Sequence, residues 1–363
     1  MDDYLDLSDD IWSDMSDVIE MFKYKDKHYV VPYCLSDPLL ITYNRSLCEE
    51  NGLDDPYELY KKDKWDWDAF MDMMKTFVSN AKDGETRYGI NGWFGQAMVQ
   101  STGETFVKYD GSKFSNNISN PAIEEAEGVM EEIMSLGLYD PTWYGYLPDD
   151  GSTLFFGMAD WALGASNVKA DPNPDYEDDG FVEENDLMIV PFPKQPGSDE
   201  YYLNCNFGAK MLVKNSDKGD AVAAYIKCER LAAMIDEYKD AAKEKAIIPE
   251  VNAQGKLKSY VTEEQYDALQ GYKDPKNITP VFDFGYGMGS KEFERANCLR
   301  AFLGEPEQIL IIVHGLNNGA EEQQKPRVLV RRIAGLEKVD ARIGAERPVV
   351  VLAGAVHAVV GFF

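Results

Sequence analysis

The chain has 363 residues, 44% of them hydrophobic and 12% aromatic, enough for sizeable cores and too apolar for wholesale disorder. With 64 Asp and Glu against 36 Lys and Arg, the formal charge is −28. That charge excludes nucleic acid and anionic membrane surfaces as partners and favours an uncharged ligand, because a cleft in so negative a body repels anions.

Residues 1–24 are rich in Asp and read as the end of a helical or loop region, with neither the basic nor the apolar stretch of a secretory signal. Residues 27–32 read as a short strand stopped by Pro32. Residues 39–44, LLITYN, form an apolar run with the pattern of a buried strand. A helix over 45–51 follows, closed by Gly52. Phe70, Met71, Met74, Phe77 and Val78 recur at helical spacing over 67–80, with Asp66 or Asp68 as the cap. Trp65 and Trp67 are expected to cover the start of that helix, and the Met residues at 71, 73 and 74 to be core or surface by spacing.

Residues 88–90 begin another strand, and 121–136 form an amphipathic helix that starts at Pro121 and ends at Gly137. Residues 163–165 read as a short buried strand, and 171–186 as an acidic, solvated loop without the spacing of a calcium hand. Strands are expected at 187–191 and 209–213, and a helix at 217–232. Helical signals continue to about residue 269, broken near Pro249. Alternation of strands and helices points to α/β units.

Composition changes near residue 304. The last 60 residues carry seven acids and seven bases and contain no Ser, Thr, Tyr, Trp, Met or Cys. A foreign or out-of-frame stretch fits this better than a natural small domain, so residues 304–363 are left out of the functional reading. The uncharged run 348–363 is shorter than the roughly 20 residues of a spanning helix. Five cysteines (Cys34, Cys48, Cys205, Cys228, Cys298) lack CxxC spacing, and there are three histidines. Neither a disulfide framework nor a zinc site is indicated, and no cofactor or metal is expected.

HYVVPYCLSDPLLITYNRSLCEENGL (28–53) resembles the core signature of the family 1 extracellular solute-binding proteins, the maltose-binding-protein-like sugar receptors of ABC importers. KWDWDAFMDMMKTF (64–77), YGINGW (88–93), LMIVPFPKQPG (187–197) and NFGAKMLVKNSDKGDAVAAYIKC (206–228) resemble further stretches of that family, in its order. Together they cover roughly residues 25–290. The resemblance implies an α/β, periplasmic-binding-protein-like two-lobe fold of class II type, with a ligand held between lobes that close by hinge motion. The implied division puts 1–37 and 206–303 in an incomplete first lobe and 38–205 in the second, with an atypical tail at 304–363. It further implies a monomer that binds a carbohydrate and passes it to the membrane subunits of an ABC permease. Extracytoplasmic placement with a lipoprotein anchor is implied as well.

A neutral sugar presents apolar C–H faces and a ring of hydroxyls, so its site needs aromatic platforms and a few convergent polar groups. Asp37 either binds hydroxyls or caps the turn before Pro38. Tyr33 either nears the cleft or closes its strand. Trp93 and Phe94 follow a strand end and open a helix, where α/β folds expose residues to a ligand crevice. Trp93 is the leading stacking candidate, with an inter-lobe core role as its alternative, and Gln96 could add an amide. Trp161, in FFGMADWALGAS, is core if it stands in for the family's Met and lines the cleft if it follows the strand; core is favoured. Asn204 and Asn206 flank the return crossing, where their amides either reach ligand or brace the hinge backbone. The rival functions are a glycoside-active enzyme, which needs two paired carboxylates that no motif supplies, and a sugar-sensing interaction module.

Overall fold

The apolar run at 39–44 becomes the strand around which the larger sheet assembles. The computed structural model describes residues 1–142, 144–170, 186–284, 349–352 and 359–362. Two compact units divide the chain, Met1–Ser290 and Lys291–Phe363. The first begins with α1 (Ser16–Met21), the hairpin β1 (Lys23–Tyr24) and β2 (Lys27–His28), and β3 (Val30–Ser36). Next come β4 (Leu39–Asn44), α2 (Arg45–Glu50), α3 (Pro56–Lys61), α4 (Trp67–Ser79), β5 (Tyr88–Gly92) and α5 (Gly95–Gln100). A second hairpin, β6 (Val107–Tyr109) and β7 (Phe114–Asn116), precedes α6 (Pro121–Ser135), β8 (Thr153–Ala159) and α7 (Leu163–Ala170). The strands β9 (Leu187–Pro191), β10 (Tyr202–Asn204) and β11 (Asn206–Met211) are followed by α8 (Gly219–Met234) and α9 (Asp236–Ala246). β12 (Glu250–Val251), β13 (Leu257–Ser259), α10 (Glu263–Tyr272) and β14 (Thr279–Val281) complete the described part of this unit.

The larger sheet has the order β5-β8-β4-β9. β5 runs parallel to β8, and β4 runs antiparallel to β8 and β9, so the C-terminal ends of β5, β8 and β9 meet the start of β4 at one edge. All seven residues of β8 are buried, as expected for a central strand covered on both faces. Beneath the sheet, Phe70 of α4 stacks on Phe155 at 5.2 Å, and the buried Trp65 indole donates to the Pro191 carbonyl at 2.8 Å. Trp67 is also buried and donates to the Ser101 hydroxyl, so both tryptophans are core, and Met71, Met73 and Met74 join them there. α4 starts at its expected cap: the Asp66 carboxylate accepts from the Ala69 amide.

A second, antiparallel pair, β3 with β11, is covered by α1 and α8. Arg230 of α8, 3% exposed, is its keystone. Its guanidinium donates to the Ile11 and Tyr33 carbonyls at 2.9 to 3.1 Å and pairs with Asp14. These four bonds hold most of the guanidinium's donors on fixed acceptors, as a buried guanidinium requires.

Several expectations change: the strand expected at 27–32 does not stop at Pro32 but divides into β2 and β3, and β3 runs through Pro32 to Ser36. Residues 163–165 open α7 rather than a strand, because Leu163, Ser166 and Asn167 turn to one buried face. A short apolar run does not distinguish the two by itself. The strand expected at 209–213 lies earlier, at β11, because it takes its register from β3. α10, although it follows β11 in the chain, packs on the larger sheet. There the Gln265 amide donates to the Leu187 carbonyl and the Tyr272 hydroxyl to the Ile189 carbonyl.

Most of the loop 171–186 and of residues 304–363 lies outside the described residues, as does Cys298. The described part of the second unit is an antiparallel hairpin, β15 (Val349–Leu352) with β16 (Val359–Phe362). Among the described residues no helix is long and apolar enough to cross a membrane.

Candidate ligand-binding cleft

At the sheet edge where β5, β8 and β9 end, β4 begins where the chain arrives from β3. Open α/β sheets bind ligands at the carboxyl ends of their strands, since the loops there are free of the packing that fills the sheet faces. Trp93 leaves β5 at this edge, and its amide donates to the Gly157 carbonyl at 2.7 Å. The approach is possible only because both neighbours are glycine. A Cβ on Gly157 would stand 2.2 Å from the Trp93 carbonyl oxygen, and one on Gly92 (φ +86°) 2.3 Å from the Gly157 oxygen.

Trp161 sits in the 3-10 turn Asp160–Ala162 that follows β8. It is 64% exposed, which corrects the expectation of a core residue: the turn directs it off the strand and out of the sheet. Its ring meets Trp93, 37% exposed, edge to face with centroids 5.9 Å apart and planes at 63°. Two solvent-facing indoles thus form an angled platform. Phe94, by contrast, is buried against Tyr139 at 5.4 Å and belongs to the core, not to the cleft surface. The helix α5 starts at Gly95, so consecutive residues Trp93 and Phe94 turn to opposite sides.

Beside the platform, Asp37 links β3 to β4 in the left-handed region (φ +47°), which Asp tolerates better than most residues. The Asn206 side-chain amide donates to its carboxylate at 3.4 Å. The two groups come together because Asn206 pairs with Ser36 in the β3–β11 ladder. One backbone bond joins this pair to the platform: the Asp160 amide donates to the Pro38 carbonyl at 3.2 Å. Asp37 and Trp161 each neighbour a partner in that bond in the chain, which ties the turn after β8 to the loop between β3 and β4.

The remaining candidates lie around it. Asn204 donates to the side-chain oxygen of Gln100, a buried residue at the end of α5, and thereby braces β10 against that helix. The Gln100 amide nitrogen has no partner among the described residues. Gln96 is half-buried on α5. Tyr33 is half-buried on β3, beside Gly208 and under the Lys210 ammonium at 5.8 Å from its ring centre, and is not brought to the tryptophans. Sequence reading missed Asp160, Lys273 and Gln100. Asp160 and Lys273 form an ion pair across 113 positions, for which no local pattern exists. Burial pushes the Cys205 thiol up to about 12, and the Cys34 thiol also upward, so neither is a ready nucleophile. A separate hollow beside Met1, Asp2, His28 and Tyr29 offers less, because His28 Nδ1 already engages the Asp2 carboxylate at 2.6 Å.

The profile of the bacterial extracellular solute-binding protein family matches residues 1–228. The chain belongs to that family. Among solved structures, this solute-binding protein is similar in fold to the cyclic alpha-maltosyl-1,6-maltose binding protein from Arthrobacter globiformis. That match has 17% identity, covers 83% of this chain and 75% of the other, and has a TM-score of 0.53. Apo RafE from Streptococcus pneumoniae is similar at 18% identity, over 83% and 75% of the two chains, with a TM-score of 0.52. The sugar-binding protein MalE from Xanthomonas citri is similar at 14% identity, over 79% and 69%, with a TM-score of 0.54. No curated protein sequence matches the chain. The α/β two-lobe architecture implied by the sequence motifs is therefore the architecture of this solute-binding protein.

Proposed function

We propose that this protein binds a neutral carbohydrate at the Trp93–Trp161 platform and delivers it to the membrane subunits of an ABC importer. The reading is supported by two exposed indoles that meet edge to face, and by an Asp37–Asn206 pair next in the chain to the Pro38 carbonyl that the Asp160 amide engages. Indole faces match the C–H faces of a pyranose, and a carboxylate beside an amide matches its hydroxyls as acceptor and donor. The charge of −28 disfavours acidic ligands for the same cleft. Structures of similar fold are described as receptors for cyclic maltosyl-maltose and, for MalE, as sugar-binding. The protein acts outside the cytoplasmic membrane, as a monomer held there by a lipid anchor. It hinges where β3 passes into β4 and β10 into β11, and it turns over no substrate.

Titration calorimetry with maltose, raffinose and lacto-N-biose tests this. Saturable binding of one of them, with a thermal shift that Trp93→Ala and Trp161→Ala each abolish, supports the reading. A flat response to all three and to a wider panel of neutral sugars refutes it, and release of nitrophenol from aryl glycosides points to the enzyme instead.

A further inference from the structure

Lys273 follows the last residue of α10, where the helix leaves the larger sheet for β14. Its ammonium pairs with the Asp160 carboxylate, and both side chains are largely shielded, at 21% and 11% exposure. Asp160 is the first residue of the turn that carries Trp161. That turn has two tethers on its leading residue: the Asp160 amide holds the Pro38 carbonyl, and the Asp160 carboxylate holds Lys273. Trp161 itself is exposed and touches Trp93 only at its edge, so neighbouring side chains do little to fix it. The charge of Lys273 also reaches the thiols of Cys34 on β3 and Cys205 between β10 and β11, opposing the upward push of burial on each. One cation therefore stands where both inter-lobe crossings and the Trp161 turn converge.

We infer that Lys273 is a positioning residue for the ligand platform: through Asp160 it holds the Trp161 turn against the crossing at Pro38, so that both indoles face the same cleft. The inference rests on the binding reading above. A site with one correctly aimed and one wandering platform pays the ordering entropy of the second each time a ligand binds, and a fixed pair avoids this. An ammonium suits the task because a shielded carboxylate left without a partner would draw water into the turn or rotate out to reach it.

The test uses the full chain labelled with 5-fluorotryptophan, its Trp161 resonance assigned with Trp161→Phe, and calorimetry with the sugar of the maltose, raffinose and lacto-N-biose panel that the wild type binds. Lys273→Met is expected to shift and broaden the Trp161 fluorine signal, leave those of the buried Trp12 and Trp65 in place, and raise Kd about tenfold. Lys273→Arg, which keeps the pair, should stay within about twofold of wild type. Asp160→Asn should reproduce the loss, and the double variant should be no worse than either single one, the mark of a shared interaction. An unmoved Trp161 signal with wild-type affinity in Lys273→Met overturns the inference, as does strict additivity in the double variant. Should the wild type bind no sugar, the binding reading fails by itself, and the fluorine spectra still decide whether Lys273 holds the turn.

Discussion

The Asn206 side-chain amide lies 3.4 Å from the Asp37 carboxylate, joining β11 to the loop between β3 and β4. The pair is the polar half of the proposed sugar site. Its acceptor sits on a backbone of positive φ, so the variant that isolates its charge must keep that backbone. Asp37→Asn does so, because Asn also tolerates the left-handed region. It is expected to weaken sugar binding at least about tenfold, within the roughly 1.5–3 kcal/mol of a hydrogen bond to a charged group. Calorimetry measures the loss, and melting within about 2 °C of wild type shows that the fold is intact.

Gly157 makes the contact that aims Trp93. Gly157→Ala puts a methyl group 2.2 Å from the Trp93 carbonyl oxygen, which has to move. Overpacking of this kind costs about 1–3 kcal/mol, and here it also turns the indole away from Trp161. Urea unfolding should show the destabilisation, and the sugar-induced thermal shift should disappear although no platform residue has changed.

Arg230 is expected to matter for stability alone. Arg230→Met leaves the Ile11 and Tyr33 carbonyls without their donor and the part-exposed Asp14 carboxylate to water, which costs about 1–3 kcal/mol. The urea midpoint should fall accordingly. Near-normal affinity at temperatures where the variant is folded would separate this residue from the cleft.

Acid should loosen the attachment of α10. Arg45 donates to both oxygens of Glu264, at 2.7 and 2.8 Å, and these bonds hold the Glu264 carboxyl below the usual carboxylate range. A depressed folded pKa means that the contribution is complete above the unfolded value and fades as pH falls through the folded one. Glu264 is half-exposed, so the contribution is about 0.5–1 kcal/mol after screening. Between about pH 6 and pH 3 the melting temperature of wild type should therefore fall further than that of Glu264→Gln, and the two curves should converge in acid.

Much of the frame was legible because local forces wrote it. Residues 39–43 form an apolar run interrupted only by Thr42 before Asn44 ends the strand, and β4 has the expected bounds. Asp66 caps α4, and Pro121 and Gly137 bracket α6, since capping and backbone restriction act within a few residues. Trp93, Asp37 and Asn206 were found as candidates because strand ends and crossings are marked by the same local patterns.

What local chemistry cannot encode is which way a side chain turns once its strand is placed. Trp161 and Phe94 are both aromatic residues at strand-to-helix junctions, yet the turn after β8 sends the first outward while α5 draws the second into the core. The chain alone determined the α/β alternation, the family and the residues available for a cleft. Tertiary structure decided the meeting of Trp93 with Trp161, the packing of α10 on the larger sheet, and the bond between Asp160 and Lys273. The reason is distance along the chain: partners 113 residues apart leave no periodicity or cap, and only the assembled sheet, by pairing β4 with β8 and β9, brings them within reach.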